Sequence, residues 1–135
     1  MKSLTLLLTT IFLLSSPVVW SEEVVYKDLV ERERLYYKKF SDEPFTGNVV
    51  GTVRGKMVKG KQEGRWTYWY DNGRLSWRRN YKNGKLDGLY EWYYTNGQLR
   101  YRGHYKDRKR VGEWEFYNED GTLRWKEDCD VEECP

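Results

Sequence analysis

Gly88-Leu89-Tyr90-Glu91-Trp92-Tyr93-Tyr94-Thr95-Asn96-Gly97-Gln98-Leu99-Arg100-Tyr101 opens on a glycine, sets an aromatic ring at every second position, breaks at Asn-Gly and begins to alternate again. Alternation with a period of two marks a strand with one apolar face, and Asn-Gly between two such runs marks a hairpin. The stretch recurs at a spacing of 24 residues on both sides. Gly64, Gly88 and Gly112 open the units, and Trp66, Tyr90 and Trp114 follow two residues later. Gly73, Gly97 and Gly121 come next, each after Asn or Asp, then Leu75, Leu99 and Leu123, and then Trp77, Tyr101 and Trp125. Tyr81, Tyr105 and Cys129 form a last column. Columns held at constant spacing without a gap identify a repeat architecture, in which each unit buries its apolar side against its neighbours. The fold expected is all-β: a single-layer antiparallel meander of tandem 24-residue β-hairpins.

Read as two-residue turns, Asn72-Gly73 and its equivalents set the register. Tyr70 then faces Leu75, Tyr68 faces Trp77 and Trp66 faces Arg79; Tyr94 faces Leu99, Trp92 faces Tyr101, and Phe116 faces Trp125. The aromatic core expected from this register is Trp66, Tyr68, Trp77, Tyr90, Trp92, Tyr101, Trp114, Phe116 and Trp125. The opposite face tests the register independently. It sets Thr67 against Arg78, Glu91 against Arg102 and Glu115 against Lys126, and a slip of one residue would turn every ring to the wrong side. A second turn joins successive units, strong at Asn83-Gly84 and weaker at Asp107-Arg108. Met57, Gly60 and Lys61 stand one period before Tyr81, Gly84 and Lys85, so a partial unit precedes the three full ones.

Outward from the repeats the chain divides into residues 1–21, 22–46 and 47–135, with units at about 47–63 (partial), 64–87, 88–111 and 112–135 (degenerate at its end). Lys2, the apolar run Leu4 to Leu14 and the small residues before Glu22 have the form of a secretory signal peptide, which predicts a periplasmic or secreted protein. Residues 22–46 are charged and aperiodic, with Leu35-Tyr36-Tyr37 suited to a short strand, and are expected to cap the N-terminal edge of the sheet. Cys129 and Cys134 fall in columns that face each other across the second turn, as Tyr81 faces Leu86. With Val131-Glu132 as the turn and Asp130 beside Glu133, the cysteines form a non-hydrogen-bonded pair about 4.5 Å apart at Cα, within reach of a disulfide.

The chemistry available is sparse. Aromatic residues make up 17% of the chain, too many for a disordered one, and Tyr and Trp dominate. A net charge of +3 gives no basic excess for nucleic acid. One histidine, His104, reads as a solvated strand residue, and no metal-ligand spacing, cofactor motif or nucleophile constellation accompanies it. No catalytic residue and no enzymatic activity is expected. The polar face does carry Trp69, Tyr93 and Tyr117 at one offset, with Arg100 and Arg124 directly across from the last two. Such an aromatic and basic ladder suits a binding strip, because Tyr, Trp and Arg are favoured at interface hot spots; it would equally serve to brace the sheet.

Gly64-Arg65-Trp66 through Tyr81-Lys82-Asn83-Gly84-Lys85-Leu86-Asp87-Gly88, and the series from Gly88 to Tyr105-Lys106, resemble the MORN repeat variant. Bacterial proteins of this kind are described as YwqK-type antitoxins of toxin–antitoxin systems, and Leu35-Tyr36-Tyr37 through Pro44-Phe45-Thr46-Gly47 resembles their N-terminal part. The resemblance spans about residues 29–128. It implies a hairpin-repeat sheet that binds a partner protein, a toxin where the antitoxin role applies, and it supplies no catalytic residues. Arg108 in place of the turn glycine and the loss of pattern after Lys126 depart from it. The alternative expectation is a scaffold of the cell envelope that holds a surface polymer or a membrane.

Overall fold

A computed structural model of the chain describes residues 21–130 and 134. The leader read over residues 1–21 lies outside them except for Ser21, and so do the expected turn Val131-Glu132 and the expected closing residue Glu133. Nine strands form one sheet in the order β1 (Glu23–Val25), β4 (Gly47–Val50), β5 (Val53–Val58), β6 (Lys61–Trp69), β7 (Leu75–Lys82), β8 (Lys85–Tyr93), β9 (Leu99–Lys106), β10 (Lys109–Tyr117) and β11 (Leu123–Asp128). From β4 onward it is an antiparallel meander of hairpins, while β1 runs parallel to β4. A separate hairpin of β2 (Leu29–Arg32) and β3 (Leu35–Lys38) packs beside the N-terminal end, preceded by one 3-10 turn, Tyr26–Asp28.

The expected register holds through the body of each hairpin: Tyr68 pairs with Trp77, Trp92 with Tyr101 and Phe116 with Trp125. At the first turn of each unit it does not. Tyr70 N–H bonds Arg74 O and Gly73 N–H bonds Tyr70 O, which makes Asp71-Asn72-Gly73 a three-residue loop. Only Gly73 takes positive φ, at 79°, so this is a type I turn closed by a left-handed glycine. Asn72 serves through its side chain instead: Oδ1 accepts from Arg74 N at 3.0 Å, and Nδ2 donates to Thr95 O of the next loop at 3.0 Å. Asn96 repeats both bonds, to Gln98 N and Glu119 O. The longer loop shifts the pairing by one, so Trp69, Tyr93 and Tyr117 pair with Leu75, Leu99 and Leu123. Tyr70 therefore does not face Leu75, nor Tyr94 Leu99. A bulge at Ser76, Arg100 and Arg124 then restores the register.

The second turns are two-residue turns with both φ positive: Asn83 and Gly84 at 51° and 77°, Asp107 and Arg108 at 48° and 70°, Lys59 and Gly60 at 49° and 74°. These carry the mirror-image geometry that matches strand twist. Tyr81 pairs with Leu86 across the first of them. The unit-opening glycines, Gly64, Gly88 and Gly112, each sit at a further register shift with positive φ.

One cluster of buried side chains, Leu29, Phe45, Val49, Met57 and Trp66, lies where residues 22–46 fold onto the first hairpins. Tyr26 meets Trp66 edge-on at 6.4 Å, and Gly60 exchanges backbone bonds with the overlying segment through Tyr36 N and Phe45 O. Farther along, the sheet has no second layer among the described residues. Tyr90 and Trp114 are buried there by their own neighbours, Tyr101 and Tyr105.

Candidate functional site

Each strand offers one side chain in two to each face, so the sheet has two candidate surfaces. The first is the polar face. Arg54, Arg78, Arg102 and Lys126 form one column at the repeat spacing, and Thr67, Glu91 and Glu115 form the next. Arg78 Nε donates to Glu91 Oε2 at 2.6 Å, and the Tyr93 hydroxyl donates to the same oxygen at 2.9 Å. One unit later Arg102 pairs with Glu115, and the Tyr117 hydroxyl donates to Glu115 Oε2 at 2.8 Å. Glu91 thus takes its cation from the strand before it. It lies opposite Arg102 in register but makes no ion pair with it. Lys126 completes the second cluster, with Nζ 2.8 Å from Glu115 Oε1. Hydrogen bonds from Lys126, Tyr117 and Arg102 hold the Glu115 carboxyl down at about 2. Burial, then the neighbouring carboxylate, pushes the Tyr93 and Tyr117 phenols up.

Trp69, Tyr93 and Tyr117 share this face, all half-buried. Trp69 lies under the Arg54 guanidinium, 4.7 Å from the ring centre. Arg100 and Arg124 do not stand across from Tyr93 and Tyr117. As bulge residues they turn away, Arg100 to the Tyr94 ring at 5.4 Å and Arg124 to Trp125 at 4.7 Å. The ladder read from the sequence is therefore split between two surfaces. On the polar face the hydroxyls are spent on Glu91 and Glu115, and the arginines belong to the other side.

That other side is the aromatic face. Tyr68 and Trp77 lie 5.8 Å apart, and Trp92 and Tyr101 5.9 Å, Tyr101 and Phe116 5.8 Å and Phe116 and Trp125 4.4 Å, giving a pair and a row of four rings with the Arg79 guanidinium against both Trp77 and Trp92. Arg79 lies over Trp77 at 4.2 Å and Tyr90 at 4.9 Å, and Arg110 over Trp114 at 4.1 Å. The Tyr70 hydroxyl donates to Tyr93 O and the Tyr94 hydroxyl to Tyr117 O, each tying one unit to the next. Burial pushes the Tyr90 phenol up to about 12.

Of the nine rings expected in the core, Trp66, Tyr90 and Trp114 are buried. Tyr68, Trp77, Trp92, Tyr101 and Phe116 are half-buried, with Arg79 and Arg110 giving Trp77, Trp92 and Phe116 only partial cover. Trp125 is not a core residue: it is 43% exposed on the outermost strand. Arg100 and Arg124, both exposed and without an ion pair among the described residues, flank an open groove floored by Tyr101 and Phe116. Sequence columns alone did not find this groove, since only the bulge brings the two arginines round.

His104 is an exposed strand residue. Cys129 and Cys134 form a disulfide with Cα atoms 5.3 Å apart, slightly wider than the pair geometry expected, beside Glu127.

No curated protein and no solved structure matches the chain. Residues 62–83, 86–107 and 110–124 match the family model described as the MORN repeat variant, one match to each of the hairpins β6–β7, β8–β9 and β10–β11.

Proposed function

We propose that this chain is an exported, non-enzymatic binding module whose aromatic face receives a protein partner. The observation that carries the reading is the row Trp92, Tyr101, Phe116 and Trp125, with Arg100 and Arg124, unpaired among the described residues, at its margin. A contiguous exposed apolar patch rimmed by polar groups is what interaction surfaces present, and Trp, Tyr and Arg are the residues that concentrate binding energy there. The polar face is the weaker candidate, since its carboxylates, cations and hydroxyls already satisfy one another. The resemblance of the repeats to YwqK-type antitoxins makes a toxin the first partner to seek. Export restricts that toxin to the envelope or the exterior.

The test compares the mature protein with Tyr94→Ser/Arg100→Ser, which strips the groove margin and leaves Trp66 and Trp114 in place. Purification from the native host should recover one stoichiometric protein with the parent chain and lose it with the variant. Equal recovery with both would remove the face from the reading. Retention on peptidoglycan or liposomes without any protein would favour the scaffold alternative. The first residue of the purified mature chain should be Glu22; a retained Met1 would contradict cleavage and point to an uncleaved anchor.

A further inference from the structure

The strand β11 is the last of the sheet, and among the described residues nothing pairs with its outer side. The repeat itself states what would. β7, β9 and β11 hold the same place in successive units, and the strands that follow the first two are known. Trp77 meets Trp92, Arg78 meets Glu91 and Arg79 meets Tyr90 on β8. Tyr101 meets Phe116 and Arg102 meets Glu115 on β10. In both cases the cation reaches forward to the carboxylate of the next strand. Lys126 stands in the same column with no forward carboxylate among the described residues, and it turns back to Glu113 at 2.7 Å and Glu115 at 2.8 Å. Trp125, the counterpart of Trp77 and Tyr101, is stacked on Phe116 behind and open in front, and Leu123 is 50% exposed.

We propose that the outer edge of β11 accepts an antiparallel strand from a partner protein, in which a carboxylate residue stands between two aromatic ones, as in Tyr90-Glu91-Trp92. Main-chain bonds to an open edge supply affinity, and alternate side chains supply specificity. The aromatic that follows the carboxylate covers Trp125, and the carboxylate meets Lys126. The other aromatic lies opposite Glu127, in the column where Arg79 meets Tyr90 and Gly103 lies under Trp114. This edge shares Trp125 with the aromatic face, but the inference rests on strand pairing and does not depend on that reading.

The probe is a peptide of the β8 sequence Lys85–Tyr93, titrated into the full disulfide-bonded chain and read by amide hydrogen exchange. Binding should raise protection across Leu123–Asp128. A second peptide carrying Glu91→Lys should bind about tenfold more weakly, the step expected when a cross-strand attraction becomes a repulsion. A Lys126→Glu protein should reverse that preference. The comparison of the two peptides on the parent chain stands alone if this variant is unstable. Protection elsewhere, or equal affinity for both peptides, overturns the proposal. So does sedimentation showing that the chain pairs with itself through β11, which would make the occupant a second copy.

Discussion

Trp66 and Trp114 occupy the same column two units apart, and each lies on a glycine of the preceding strand, Gly55 or Gly103. A Cβ at either glycine would fall within the indole, so ring and glycine are one packing decision. Between them, Tyr90 faces Arg79, whose guanidinium lies over the ring at 4.9 Å. Trp114 is 2% exposed and Trp125 43%, and their truncations should differ accordingly. Trp114→Ala is expected to cost about 3–5 kcal/mol and Gly103→Ala about 1–3 kcal/mol. Trp125→Ala should cost about 1–2 kcal/mol, and the half-buried Trp92 should fall between the two tryptophans. Urea denaturation gives the ranking, and equal losses at Trp114 and Trp125 would mean that a layer covers β11.

Glu115 sets a pH dependence at the same scale. Its folded carboxyl titrates at about 2, against an ordinary value of 4.5, so the folded state favours the charged form. The stabilisation is complete above the ordinary value and fades as pH falls from there toward 2. Glu115→Gln should lower stability at neutral pH and flatten the decline over that acid range. Denaturation midpoints from pH 7 to pH 2.5 measure both effects. A parallel decline in parent and variant would show that the Lys126, Tyr117 and Arg102 contacts contribute nothing in solution.

At the scale of the element, the two turns of each unit solve different problems. The second turn needs positive φ at both positions, and Asp107-Arg108 meets that demand without a glycine, Arg108 lying at φ 70°. A side chain is strained there, so Arg108→Gly should stabilise the protein by about 1 kcal/mol, and Gly84→Ala should lower stability by a similar amount. Thermal unfolding of the two variants checks the opposite signs. The first turn shows where sequence reading runs out. Asn-Gly fits either a two-residue turn or the end of a three-residue loop, and local residues do not choose between them. Here the choice is made by stacking, because Asn72 and Asn96 reach the loops of the next unit. The same choice creates the bulge that turns Arg100 and Arg124 away from Tyr93 and Tyr117, so the groove they flank could not be read from columns. The hairpin bodies could be read, because aromatic and charged pairs on opposite faces set the register twice.

At the scale of the molecule the two ends differ, and the difference follows from what each end must hide. Residues 22–46 lay β1 along one edge and fold a second small sheet over Trp66; their charged, aperiodic sequence gives no columns from which to foresee that layer. Among the described residues the far end has no layer, only the Cys129–Cys134 disulfide, whose register is legible because its two columns already face each other at Tyr81 and Leu86. Cys129 N–H bonds Gly112 O, and Asp130 Oδ1 accepts from Gly112 N at 2.9 Å, so the crosslinked segment ties the end of β11 to the start of β10. In an array where each unit touches only its neighbours, loss of that tie should be felt locally. Reduction should therefore cost β10 and β11 protection from hydrogen exchange, worth about 2 kcal/mol, the low end for a short loop. Protection at Val49, Met57 and Trp66 should be unchanged, since their cluster draws nothing from the C-terminal hairpin. A loss spread evenly from β4 to β11 would show instead that the sheet unfolds as one cooperative unit, with the disulfide acting on the unfolded chain rather than on its own hairpin.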